Sequence, residues 1–259
     1  MNTTNQTAVI EGDQHMNINS QKTIIKESKM KLTTTKLIRW AGLSAMVAGI
    51  IFASIQPIHP ADVLSSVNTN FWAIITSLKT MMSIFGLLGI AGLYARQVEE
   101  TGWLGLAGYL LLTVFYAVQM CYSFAEVFIL PLLTTVAPKF VESSLAIGSG
   151  AVAEMNLGAF AAVYGLVTLF YLLGLLLFGI ATFRAHILPR WAAVLLAVSG
   201  PLAIIMVALL PHQIERLAAM PMGIALAALG YALWSERRAK ASEPLPDMSN
   251  PQLRQSAAK

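Results

Sequence analysis

Charged residues are scarce in this chain. They make up 12% of its 259 residues, and the mean hydropathy is +0.66. Soluble domains average about 25% charged residues, because a folded chain in water needs a charged surface. The few charges are concentrated in the first 39 residues, in short connections and after Trp234. This distribution excludes an ordinary soluble domain and predicts an integral membrane protein in contact with the lipid bilayer.

Cysteine is nearly absent, and the common catalytic motifs are missing. The single cysteine, Cys121, lies in an apolar stretch, which excludes an internal disulfide framework and a cysteine-based metal site. No histidine lies deep in an apolar segment to ligate haem. The sequence has no His-Glu-x-x-His motif and no glycine-rich phosphate loop ending in Lys-Ser or Lys-Thr. No cofactor is therefore predicted, and a non-catalytic protein is favoured over an enzyme.

Six apolar segments predict six transmembrane helices and an all-α bundle. Each segment reaches the length of about 18 residues that indicates a membrane span. The predicted spans cover about 37–55, 71–94, 103–133, 155–183, 191–210 and 214–234. They form a transmembrane domain over residues 36–236, flanked by polar tails at 1–35 and 237–259 that we expect to be disordered. Met30 resembles a natural start, which would make residues 1–29 an extension without a structural role.

Basic residues are distributed unevenly about these spans. With the N-terminus inside, fourteen Lys and Arg residues lie on the cytoplasmic side, and Lys139 and Arg216 lie outside. Because basic loops stay in the cytoplasm, the count predicts a multi-pass protein of the cell membrane with both termini cytoplasmic. The same rule explains the net charge of +4. No basic stripe interleaved with aromatic residues is present, so no nucleic-acid partner is predicted.

The helix ends on the inner side follow a repeating pattern. Trp40, Trp103 and Trp191 open the first, third and fifth predicted spans, and Tyr or Phe with Arg closes the second and fourth. This pattern predicts three helical hairpins of one plan. The alternative is that any inner membrane interface selects Trp, Tyr and Arg as anchors.

Two ionisable residues lie inside the predicted spans. Lys79 is in the second and Glu126 is in the third, at nearly equal depth from the outer side. A charge within the bilayer is costly, so we expect these opposite charges to pair and to face protein or water. Polar residues at helical spacing lie on the same faces, namely Thr76, Ser83, Tyr116, Gln119 and Ser123. The pair is either a structural link that fixes helix register or part of a solute, ion or proton site.

Other polar residues are expected near the outer end of this pair. Glu154 and Asn156 lie at the start of the fourth span, and Arg216 lies in an outer connection. We predict an outward-facing pocket lined by Lys79, Gln119, Glu126, Glu154 and Asn156. No metal site is predicted; His59 and His212, in the outer connections, are the remaining candidate ligands.

Two short motifs accompany this layout: Gly-Ile-Ala-Gly-Leu-Tyr-Ala-Arg over residues 89–96, and Leu-Pro-Arg-Trp-Ala over residues 188–192. With them the chain resembles small six-helix bacterial integral membrane proteins of unknown function. The resemblance extends loosely over the membrane region and implies no activity or site residues. The function predicted is a transporter-like or ligand-sensing bundle for a small solute or ion. The alternative is a non-catalytic accessory or immunity-type subunit that packs against a membrane protein partner.

Overall fold

The computed structural model describes residues 33–149, 151–209 and 216–242, and these fold into helices without strands. The predicted all-α class is confirmed. The helices are α1 Thr34–Ile55, α2 Leu64–Val67, α3 Asn70–Arg96, α4 Val98–Phe128, α5 Leu130–Leu133, α6 Pro138–Ser149, α7 Ala159–Ala185, α8 Arg190–Leu209 and α9 Met220–Ser242, with short 3-10 helices at Gln56–Ile58 and Arg216–Ala219. Most of both predicted tails lies outside the described residues, although α9 continues into the second tail as far as Ser242.

Within the described residues, five helices are long and apolar enough to cross a membrane. They span Thr34–Ile58, Asn70–Arg96, Val98–Phe128, Ala159–Ala185 and Arg216–Ser235. The fifth predicted span, 191–210, coincides with α8, which is apolar over a shorter length, Arg190–Met206. The chain therefore has the helices of a multi-pass membrane protein.

The six long helices pack against one another in chain order. In the unit that begins at Ile38, α3 packs on α4, α4 on α7, α7 on α8 and α8 on α9. The first helix contacts α3, where Gly89 faces Ala45, and α9, where Gly49 faces Gly223. A Cβ at Gly49 would lie 2.4 Å from the backbone oxygen of Gly223. The helices thus form a ring that closes between the first and the last. Residues 33–37, which include the first turn of α1, belong to a separate unit.

In the third predicted span, the regular helix that follows Gly102 is shorter than expected, because it ends at Phe128 and not near residue 133. Gly102 has φ 54° and interrupts the regular helix at the start of α4. At the other end α4 stops at Phe128, and the short helix α5 follows. Pro131 explains this stop, because proline cannot donate the helical hydrogen bond and its ring clashes with the carbonyl four residues earlier. The fourth predicted span is shorter too, since α7 begins at Ala159.

The connections at one end of the ring form a small core of their own. Trp72 at the start of α3 packs there with Val67, Leu130, Val141 and Leu145. We call this end, which carries α2, α5 and α6, the cap end. It holds the charged residues described next.

Candidate functional site

The predicted ion pair between Lys79 and Glu126 is present. The Lys79 ammonium donates a hydrogen bond to Oε2 of Glu126. The two side chains are 15% and 24% exposed, so both charges are largely enclosed by protein. The pair joins α3 to α4 near the cap end.

Lys79 and Glu126 form this pair although their positions relative to the helix ends differ from those predicted. Lys79 lies nine residues after Asn70, the first residue of α3, whereas Glu126 lies two residues before the end of α4. Their depths therefore differ, because α4 ends at Phe128. Side chains in a helix tilt towards its N-terminus, and α3 and α4 run in opposite directions. Lys79 thus leans towards the cap end and Glu126 leans away from it, and this closes the gap between them.

Trp72 positions the backbone beside this pair. Its indole nitrogen donates to the carbonyl oxygen of Glu126 at 3.0 Å, and the side chain is fully buried. Thr69 caps the start of α3 by accepting a hydrogen bond from the Trp72 backbone nitrogen at 3.2 Å. His59 packs edge-on against the indole, with ring centroids 6.2 Å apart.

His59 lies between the first ion pair and a second. Arg216 forms a salt bridge with Asp62, and His59 Nδ1 is 2.7 Å from the carbonyl oxygen of Pro60. A carbonyl only accepts, so Nδ1 donates, and Nε2 is left as a buried acceptor without a hydrogen-bond partner among the described residues. Burial, reinforced by the positive charges of Lys79 and Arg216, lowers the pKa of His59 to about 4. The ring is therefore neutral at pH 7.

A small, partly enclosed cavity lies beside these ion pairs. Its volume is about 40 Å³, room for about three water molecules. The lining residues are Asp62, Tyr122, Ala125, Glu126, Leu130, Ser144, Leu145, Gly148, Phe160 and Tyr164. Carboxylates from the connection after α1 and from α4 thus reach one space, beneath α6 and beside the start of α7.

The residues predicted to line one pocket are only partly brought together. Glu126 lines the cavity and Lys79 binds Glu126. Gln119 instead donates within α4 to Ser123 at 3.1 Å. Glu154 and Asn156 are exposed in the connection before α7 and do not line the cavity. His212 lies outside the described residues. Within the described residues, no three or more His, Cys, Asp or Glu side chains lie close enough together to hold a metal ion.

Of the ten lining residues, only Glu126 was among the predicted site residues; the charged and aromatic ones that were not are Asp62, Tyr122, Phe160 and Tyr164. A signal existed for Asp62, because it lies in the first outer connection and is opposite in charge to Arg216 in the last. Tyr122 and Tyr164 lie in the outer halves of neighbouring predicted spans. That these ends meet depends on the packing of α4 on α7, which helix periodicity does not indicate.

Substituting His59 by phenylalanine is expected to reduce the sensitivity of the protein to acid. The folded-state pKa of about 4 is lower than the unperturbed value of about 6.5. Between these values the unfolded chain binds a proton that the folded chain does not. Stability is therefore full above about pH 6.5 and is lost as the pH falls towards about 4. Thermal unfolding of both proteins across this range checks the prediction, and the phenylalanine ring preserves the contact with Trp72. Parallel melting curves would show that His59 does not contribute.

No protein-family model matches the sequence, and neither the curated proteins nor the solved structures include a match.

Proposed function

We propose that this chain is a six-span membrane protein that admits a small polar solute to the cavity at its cap end, for transport or for sensing. The cavity itself carries the proposal: Asp62 and Glu126 line it, and each is bound by a basic side chain. Ionisable groups enclosed in a membrane bundle are costly, and they mark solute and ion pathways. An ion pair needed only to join two helices requires no adjoining cavity.

The length of α8 supports a sixth crossing of the membrane, in addition to those of the five longer apolar helices. The helix has 20 residues, which corresponds to about 30 Å at the α-helical rise. This equals the thickness of the hydrocarbon core of a bilayer. The chain then crosses six times, and its two ends lie on the same side.

The end of the ring opposite the cap has the features of a cytoplasmic interface. Trp40, Trp103 and Trp191 lie there within the first two turns of α1, α4 and α8 and are 64%, 85% and 60% exposed. Exposed Trp at a helix end is typical of a membrane–water interface. Basic residues at this end include Arg39, Arg96, Arg184 and Arg190, which favours the cytoplasmic side. The regular placement of the three Trp residues also fits three hairpins of one plan.

Thiol labelling tests both the orientation and access to the cavity. Single cysteines are introduced as Asn68→Cys, Gly148→Cys and Glu100→Cys, in a chain carrying Cys121→Ala. Asn68 and Glu100 are exposed at opposite ends of the ring, and Gly148 lines the cavity. Glu100 is chosen at its end of the ring because Gln97, at the turn between α3 and α4, is fully buried.

With a membrane-impermeant reagent added to intact cells, Asn68→Cys and Gly148→Cys are expected to react. Glu100→Cys is expected to react only after permeabilisation. Labelling of Glu100→Cys in intact cells would contradict the orientation. An unreactive Gly148→Cys beside a reactive Asn68→Cys would contradict an accessible cavity and would favour the accessory-subunit alternative.

A further inference from the structure

The charges that line the cap-end cavity are all of one sign in the part of the chain that the structure describes. Asp62 and Glu126 are the charged lining residues. Lys79 and Arg216 bind these carboxylates from outside the lining. A solute in the cavity therefore meets carboxylates directly and basic groups only behind them. This arrangement favours a cation and disfavours an anion.

Three aromatic rings complete the lining. Tyr122 packs edge-on against Phe160 and against Tyr164, with ring centroids 5.0 Å and 5.3 Å apart. The Tyr122 hydroxyl donates to the backbone oxygen of Phe160 at 3.1 Å, which holds the first two rings together. Aromatic rings attract cations through their electron-rich faces, and groups of such rings bind organic ammonium ions. The rings therefore favour an organic cation over a fully hydrated metal ion.

Lys79 shows that this site stabilises an ammonium group. Its amine is bound to Glu126 at the edge of the cavity. The cavity volume of about 40 Å³ leaves space for roughly three water-sized groups. An ion of the size of ammonium or methylammonium fits this space, whereas a sugar or a nucleotide does not.

We propose that the cap-end cavity binds a small primary ammonium ion, between the carboxylates of Asp62 and Glu126 and the rings of Tyr122, Phe160 and Tyr164. The inference rests on the proposed function, because it requires that solute can reach the cavity. It adds the chemical class of that solute. The ion binds Glu126 from inside the cavity and shares that carboxylate with the Lys79 amine, which binds it from outside the lining.

Charge-selective labelling at the cavity provides the first test. Gly148 is a suitable position, because a Cβ there has the Tyr164 hydroxyl at 3.7 Å as its nearest neighbour. Purified Gly148→Cys protein, with Cys121→Ala, is reacted with two methanethiosulfonates, one carrying an ammonium group and the other a sulfonate. The ratio of the two rates is compared with the ratio at Asn68→Cys, an exposed position at the same end of the ring.

The ratio of the reaction rate of the ammonium reagent to that of the sulfonate reagent is expected to be about tenfold higher at Gly148→Cys than at Asn68→Cys, because the carboxylates attract the ammonium group. Methylammonium chloride is expected to slow the reaction at Gly148→Cys more than sodium chloride at equal ionic strength. If neither reagent reacts at Gly148→Cys while both react at Asn68→Cys, the proposed function fails. If both react at Gly148→Cys with the control ratio, or methylammonium gives no protection, the ammonium site alone is refuted.

A matched pair of ring substitutions provides the second test. Phe160→Leu removes a lining ring at a position that is 36% exposed, and Phe124→Leu removes a ring on α4 that is 50% exposed and lies outside the lining. The methylammonium concentration needed for protection is expected to rise about twofold to fivefold in Phe160→Leu and to stay unchanged in Phe124→Leu. Equal values in both variants would overturn the role of the aromatic rings.

Discussion

Replacing Lys79 by methionine is expected to destabilise the bundle by about 3 kcal/mol, and adding Glu126→Leu to restore most of that loss. Removing one partner of a buried pair costs about 3 to 5 kcal/mol, because the other charge is left uncompensated, whereas replacing both is often nearly neutral. With side chains 15% and 24% exposed, this pair belongs at the lower end of that range. Reversible unfolding of the purified protein in detergent, followed by circular dichroism, measures the difference.

The double variant also separates a structural pair from a functional one. If the pair only fixes helix register, the double variant is stable, and methylammonium still protects Gly148→Cys against labelling in it. A pair that belongs to the solute site leaves a stable double variant without that protection. If Lys79→Met alone is as stable as the starting protein, the pair is not energetically coupled.

Gly49→Ala is expected to have an effect of similar size through packing alone. A Cβ at this position would lie 2.4 Å from the backbone atoms of Gly223 and Ala227. Backbone atoms cannot rotate away as a side chain can, so α1 and α9 must separate. Overpacking costs about 1 to 3 kcal/mol, and we expect about 3 kcal/mol here. The same unfolding measurement detects it.

Gly165→Ala is the matched control. A Cβ at Gly165 in α7 meets nothing within 4 Å, and alanine favours a helix over glycine by about 1 kcal/mol. This variant is therefore expected to be as stable as the starting protein or more stable. Equal stability of Gly49→Ala and Gly165→Ala would contradict the close contact between α1 and α9.

Features set by the membrane could be predicted from the sequence. A lipid environment demands long apolar helices with internally bonded backbones, so the helical class follows from hydropathy. The same environment makes an unpaired charge costly, and for this reason the contact between Lys79 and Glu126 could be predicted. Both inferences depend on the composition of single segments; the equal depth expected for the two charges does not hold, because α4 ends at Phe128.

The cavity could not be predicted because it depends on how the connections fold over the helix ends. The apolar segment that contains Glu126 continues past Phe128, and hydropathy alone gives no reason to end the helix there. The sequence positions of Glu154 and Asn156 favour a place in the pocket, but α6 and the start of α7 provide the lining instead. Asp62 lies outside every apolar segment, so hydropathy gives no reason to place it in a membrane site.

The contact between α1 and α9 has a consequence for biosynthesis. Residues 56–219 separate the two helices, and ribosomes add about 5 to 20 residues per second. The ribosome therefore synthesises α9 roughly 10 to 30 seconds after the glycine-containing face of α1. During that time α3 can already dock, since Gly89 and Gly92 contact the opposite alanines of α1. A nascent chain that stops before Met220 leaves this face open to lipid or to another protein, so an incomplete product carries an exposed surface for the quality-control machinery to recognise.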